Sequence, residues 1–229
     1  APDFTATDID GNTQHLYDYL DQGYTVFLDI SAAWCAPCWA YHNSGALEGL
    51  YNTYGPGTAD NKVMVFFVEG EGTNTLAQIT GTTTNNSYSG FTQGDWTAGT
   101  PYPIIDNATI ANDYQITYFP TIYMICPNRI VNEVGQKTTA QLWSGVGSCA
   151  SATSGLNASL LQYNGDKVIC SDVSGAVTIQ NMGTSPLTTV NVAMMQGSTV
   201  LSTQTWTGTT ALATYATADV TFPATAVSD

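Results

Sequence analysis

The sequence predicts an α/β domain built on a mixed central sheet, followed by an all-β sandwich domain, and three observations carry that prediction. Two continuous apolar runs, 24–30 and 62–68, bracket a stretch whose apolar residues recur at helical spacing, which is the order of a strand-helix-strand unit. Charge then changes near Cys149: residues 1–148 hold three basic and fourteen acidic side chains, 149–229 one basic and four acidic. Past that point the helical spacing stops, and short alternating runs broken by polar turns take over.

In order along the chain, 4–7 and 14–16 read as a hairpin around Asp8-Ile9-Asp10-Gly11-Asn12. Asp8, Asp10 and Asn12 have the spacing of a calcium loop. Such a loop needs Gly at its sixth and Glu at its twelfth position, where this chain has Thr13 and Tyr19, so an ordinary turn is expected. A short helix over 16–20 ends at Gly23, and 24–30 is long enough for a strand buried on both faces. Cys38, Tyr41, Leu47, Leu50, Tyr51 and Tyr54 place one helix over 35–54, stopped by Gly55-Pro56-Gly57. A second buried strand covers 62–68. Residues 69–114 are polar and longer than compact loops usually are; a substrate-shaping insertion and a decorated surface loop are both open readings. Then 114–120 leads into a strand over 121–126, another strand covers 129–134, and a closing helix covers 138–146. Strand, helix, strand, insertion, hairpin, helix is α/β order with an antiparallel pair at its end.

The second domain is read from Ala176-Val177-Thr178-Ile179 and Thr188-Thr189-Val190-Asn191-Val192-Ala193, with breaks at Asn181-Met182-Gly183-Thr184 and Gln196-Gly197-Ser198. About six such runs in roughly 75 residues suggest an immunoglobulin-like sandwich. The domains are set at 1–150 and 155–229, with Ala150-Ser151-Ala152-Thr153-Ser154-Gly155 as linker. Only seven residues follow Phe222, so a closing strand or a further segment is expected beyond this sequence.

Composition narrows the function. With 229 residues the chain can bury a real core without staples, and its net charge of −14 repels phosphate backbones and anionic lipid heads. Nucleic acid is therefore not an expected partner. No apolar stretch approaches the roughly 20 residues that cross a bilayer, so no membrane insertion is expected. Five cysteines with four basic residues, and much Thr, Gly, Asn and Ser, fit an oxidising, extracytoplasmic location. The start at Ala1-Pro2-Asp3-Phe4 lacks the features of a signal peptide, which is expected to have been removed or to lie outside this sequence.

The chemistry concentrates at Trp34-Cys35-Ala36-Pro37-Cys38, where a buried strand gives way to a helix. Two cysteines separated by two residues at a helix start can close a small disulfide ring, and the positive helix end stabilises the thiolate of the first. The second lies deeper and resolves mixed disulfides. Zinc would need four ligands, and no second Cys or His pair is spaced to supply them. A permanent structural disulfide closing so small a ring would add little stability. Asp29, six residues before Cys35 inside an apolar run, is expected to have a raised pKa and to accept the proton of Cys38; a plain bond to a neighbouring backbone group or to water is the competing reading. His42 lies two turns beyond Cys35, about 11 Å along the axis, too far for a base. Trp34 is expected to line the substrate groove and Trp39 to pack.

Four features together resemble the thioredoxin superfamily, specifically its secreted bacterial TlpA-like or redoxin branch. They are Ala1-Pro2-Asp3-Phe4 with Asp10-Gly11 following, Phe27-Leu28-Asp29-Ile30 leading into Trp34-Cys35-Ala36-Pro37-Cys38, the strand over 63–68, and Phe119-Pro120-Thr121. The likeness covers about two thirds of the chain, and Ala36 departs mildly from the family's WCGPC. It implies a thioredoxin-like fold and a thiol-disulfide oxidoreductase without a cofactor, exchanging electrons between protein disulfide or dithiol substrates and an unidentified electron donor. It assigns Cys35 as nucleophile, Cys38 as resolving thiol, Asp29 as proton acceptor and Pro120 as a cis-proline positioning substrate. Trp34, Ala36, Pro37 and Phe119 would contact that substrate. Ala36-Pro37 lacks the His that marks strong oxidants in related enzymes, so reduction or isomerisation is expected. A thiol peroxidase would need Thr where this chain has Ala32. The alternative from another class is a non-catalytic adhesive or scaffold protein whose β domain binds a partner.

For the remaining cysteines, Cys126 with Cys149 would bridge one domain and Cys149 with Cys170 would tie the two domains together. The first pairing is preferred, leaving Cys170 free and buried in the sandwich.

Overall fold

The computed structural model describes residues 1–165 and 172–226, and the chain divides into two compact units, Ala1–Ala150 and Ser151–Asp229. Cys170 lies outside the described residues.

In the first unit β1 (Thr5–Thr7) and β2 (Thr13–His15) form the hairpin, followed by α1 (Leu16–Asp21) and β3 (Thr25–Ser31). Asp8 closes the hairpin turn by accepting from the backbone of Asp10 and Asn12 and from Gln14 Nε2. After β3 come α2 (Ala36–His42), α3 (Ala46–Tyr54), β4 (Val63–Glu69), α4 (Leu76–Ile79), β5 (Ile104–Asp106) and α5 (Ala108–Asp113). β6 (Thr121–Ile125), β7 (Val131–Glu133) and α6 (Thr139–Val146) complete the unit. The sheet order is β5-β4-β3-β6-β7. β3 runs parallel to β4 and β4 to β5, whereas β6 is antiparallel to both β3 and β7. This mixed sheet with helices on both faces is the thioredoxin-like arrangement.

The alternation of the strands sorts the core into two layers. Phe27, Val65, Phe67, Ile122 and Met124 pack with residues of α2, α3 and α6 on one face. Val26, Leu28, Ile30, Phe66 and Val68 pack with α1 and α5 on the other.

Three features differ from the sequence reading. The helix over 35–54 is two helices, because Gly45 takes φ 70 and Ser44 Oγ bonds back to the carbonyl of Tyr41 at 2.6 Å, ending α2. The stretch 69–114 is not one loop: it supplies the third parallel strand β5 and two short helices, α4 capped by Thr75 and α5 by Asn107. Ile104–Asp106 is short and follows a long polar stretch, so no period marks it. Thirdly, Thr153 bridges Gly183 in parallel and its N–H bonds Met182 at 2.8 Å. The polar segment read as linker is thereby part of the second unit.

That second unit is all strand: β8 (Ala158–Gly165), β9 (Asp172–Asn181), β10 (Leu187–Gln196), β11 (Thr199–Leu212) and β12 (Thr217–Ala226). β12-β9-β8 form one antiparallel sheet and β10-β11 a second. Val177, Ile179, Val220 and Phe222 of the first sheet pack against Val190, Val192, Met194 and Trp206 of the second. Alternate residues thus face inward, as sheet-on-sheet packing requires. Among the described residues no helix is long and apolar enough to cross a membrane.

Candidate active site

β3 is buried along its whole length and ends beside both a parallel and an antiparallel neighbour. In open α/β sheets the crevice beyond such strand ends is where ligands bind. The chain leaves β3 through Ala32 and Ala33, and the N–H of Cys35 bonds the Ala32 carbonyl at 2.9 Å. Cys35 is the N-cap of α2, a position usually held by an oxygen side chain. Its Sγ accepts from the backbone N–H of Cys38 at 3.2 Å. Pro37 stands in the first turn, where it has no helical hydrogen bond to lose.

Cys35 and Cys38 form a disulfide with an S–S distance of 2.05 Å. Both cysteines are buried, at 3% and 1% exposure, but only Cys35 lines the groove at the protein surface. That groove has a volume of about 720 Å³. One side is Trp34, Ala36 and Pro37; a second is Ile116, Thr117, Tyr118 and Phe119; a third is Tyr88, Phe91 and Gln93. The Phe119–Pro120 peptide bond is cis, and the ring of Phe119 meets Trp34 edge-on with centroids 6.1 Å apart.

Asp29 lies in β3 at 1% exposure and alternates with Phe27, so it faces the layer that holds Cys35 and Cys38. Burial pushes its pKa up to about 7, against the bond from Ser31 Oγ at 2.6 Å, and the charge of Glu48 adds to the rise. Asp29 thus combines a hydrogen bond from a neighbouring side chain with a raised pKa. His42 is buried and stacks on Trp39 at 5.3 Å. Its Nδ1 is 3.5 Å from Glu48 Oε1, and burial lowers its pKa; it packs in the core rather than beside the sulfurs.

Two contributors were not singled out in the sequence. Glu69 is fully buried at the end of β4, accepting from the N–H of Ala33 at 2.8 Å and of Glu71 at 2.9 Å. Burial raises it to about 7. An acid closing the apolar run 63–68 was its only signal. Gln93 bonds the carbonyl of Ala33 through its N–H at 2.9 Å and that of Trp34 through Nε2 at 2.8 Å. Nothing in its polar surroundings marks it. Away from the site, Cys126 and Cys149 are bonded to each other.

No family model and no curated protein matches the chain. Solved structures similar to it include thioredoxins and thiol-disulfide oxidoreductases. The thioredoxin domain of a thiol-disulfide oxidoreductase from Bacteroides vulgatus is 18% identical, with 64% of this chain and 94% of that chain covered and a TM-score of 0.43. A pneumococcal exposed lipoprotein thioredoxin from Streptococcus pneumoniae is 19% identical, with 64% and 98% covered and a TM-score of 0.40. A thioredoxin-family thiol:disulfide interchange protein from Chlorobium tepidum is 18% identical, with 64% and 92% covered and a TM-score of 0.44. The fold assignment itself rests on strand order and on the helix that follows β3.

Proposed function

We propose that the chain is an extracytoplasmic thiol-disulfide oxidoreductase acting on protein disulfides, and that it works as a reductase or isomerase. The observation that carries this reading is the asymmetry of the pair: Cys35 borders the groove and caps a helix, and Cys38 sits behind it. In the reduced protein the Cys35 thiolate, stabilised by the Cys38 N–H and the helix end, attacks one sulfur of a substrate disulfide. A mixed disulfide forms and one substrate thiolate leaves. Cys38 passes its proton to Asp29 and attacks Cys35 Sγ, which restores the Cys35–Cys38 bond and releases the second substrate thiolate. Two electrons have moved to the substrate, and an external dithiol donor must return them. No step calls for a metal or organic cofactor.

Trp34, Ala36, Pro37, Phe119 and Pro120 are assigned to substrate binding around that sulfur. The Cys126–Cys149 bond supports an oxidising compartment. The β unit is read as an immunoglobulin-like sandwich, on the strength of its two packed antiparallel sheets. Dithiothreitol-driven insulin reduction tests the reading: the wild type is active and Cys35→Ser is not. A wild type without activity overturns it in favour of a scaffold whose β unit binds a partner.

A further inference from the structure

The third wall of the groove does not come from the sheet or from α2. Tyr88, Phe91 and Gln93 belong to the segment between α4 and β5, and that segment is fixed to the site from beneath. Trp96 is fully buried, with ring centroids 4.9 Å from Trp39, 5.1 Å from His42 and 5.1 Å from Phe67. Its backbone N–H donates to the Ile79 carbonyl at 2.8 Å. Gly94 passes so close to Trp39 that a Cβ there would stand 2.5 Å from the indole ring. Gln93 then ties the segment to Ala33 and Trp34, directly ahead of Cys35.

On this base Tyr88 is held with its ring centroid 5.1 Å from Trp34 while 78% exposed. Its ring is therefore available to a side chain that enters the groove. Trp34 in turn meets Phe119, so the three sides of the groove that Cys35 borders are joined by aromatic rings in contact. Apart from Cys35, the groove is lined by no Asp, Glu, Lys, Arg or His. A substrate is tethered there by its own half-cystine, so what the wall sees is the residue next to that half-cystine.

We infer that the 80–103 segment is a specificity element, and that Tyr88 and Phe91 select disulfides whose half-cystine is flanked by an aromatic or large aliphatic side chain. This rests on the oxidoreductase reading above. Burying such a side chain rather than leaving it exposed is worth at least about tenfold in rate when the pocket forms before the transition state. An acidic neighbour is disfavoured twice, by desolvation in a groove without Lys, Arg or His and by the chain's net charge of −14.

The test uses the full chain, reduced beforehand, mixed with symmetric disulfides of acetyl-Gly-X-Cys-X-Gly-amide, where X is Phe, Leu, Gly or Glu. Second-order rate constants are read from tryptophan fluorescence, with hydroxyethyl disulfide as a small neutral comparison. The expected order is Phe and Leu above Gly by about tenfold or more, with Glu slowest. The Phe-to-Gly ratio should fall below about threefold in Tyr88→Ser/Phe91→Ala, and at least by half in Tyr88→Ser, whose exposed position makes misfolding no explanation. A wild-type ratio near one, or a ratio untouched in both variants, overturns the inference. Failure to reduce hydroxyethyl disulfide as well as every peptide would instead remove the oxidoreductase reading on which it stands, and the inference with it.

Discussion

The backbone N–H of Cys38 points at the Sγ of Cys35 across 3.2 Å, so the main chain of one cysteine supports the sulfur of the other. A charged acceptor gains more from such a donor than a neutral one does, so the thiolate of Cys35 is favoured over its thiol. Because the donor is backbone, replacing the Cys38 side chain leaves it in place. Cys38→Ser should therefore still attack disulfides and then stall. Incubation with a thiol-reactive aryl disulfide should accumulate a mixed disulfide at Cys35, visible by mass, whereas Cys35→Ser should form none at Cys38, which does not border the groove. Equal trapping by the two variants would contradict the assignment.

Asp29 gives a prediction with two opposite signs. Its pKa is raised by burial from 3.8 to about 7, so the folded state prefers the protonated acid. That preference stabilises the fold fully below about pH 4 and is lost as pH rises through about 7. Asp29→Asn should accordingly raise the unfolding midpoint at pH 8 and leave it nearly unchanged at pH 4. The same variant should slow decay of the Cys35 mixed disulfide by about 100-fold at pH 8, and flatten its rise through pH 7. Stopped-flow decay and thermal denaturation at the two pH values check both halves. Glu69, also near 7, keeps part of the pH dependence of stability in the variant.

The Cys126–Cys149 bond spans a sequence separation of 23. In the loop-entropy account, closing a loop of that size stabilises the folded unit by roughly 3 kcal/mol. For a unit of this size that corresponds to a midpoint lower by roughly 6–12 °C in Cys126→Ala/Cys149→Ala. Calorimetry under non-reducing conditions measures it, and a shift under about 2 °C would show that the bridge does not constrain the unfolded chain as supposed.

At the junction of β2 and α1, His15 lies between two acids, with Nε2 2.7 Å from Asp3 and Nδ1 2.8 Å from Asp18. Burial lowers its pKa, but the bonds to Asp3 and Asp18 outweigh that and the net shift is upward. A raised histidine stabilises the fold fully below its unfolded pKa of about 6.5, and that stability disappears as pH rises through the higher folded value. His15→Asn should therefore lose up to about 1 kcal/mol at pH 5.5, a solvent-screened magnitude, and almost nothing at pH 8.5. Urea midpoints at those two pH values decide it; an equal loss at both would mean packing, not charge.

What the sequence disclosed follows from where its signals are local. Val63–Glu69 and Thr25–Ser31 are wholly buried strands, and continuous apolar runs mark such strands without help from the rest of the chain. The helix following β3 was visible in its apolar spacing, but the break at Gly45 was not, because a left-handed glycine leaves the flanking spacing nearly intact. In the β unit, alternation revealed the strands but underestimated them. β11 runs from Thr199 to Leu212, and its many threonines blur the contrast between inward and outward positions. Trp96, Gln93 and Glu69 were hidden for another reason. Each acts on a part of the chain remote in sequence, and no local pattern announces a tryptophan that fills another segment's core.

Trp96 also constrains how this domain can change. A chain joined directly from Gly70 to Ile104 would not be a trimmed version of the same molecule. It would have a tryptophan-sized void against Trp39, His42 and Phe67, under the helix that Cys35 caps. At its outer rim, where Tyr88 stands exposed, the segment can accept substitutions, but its root is locked into the interior. New preferences can therefore arise at the rim by single substitutions, while deletion of the whole element exacts collapse or wholesale repacking.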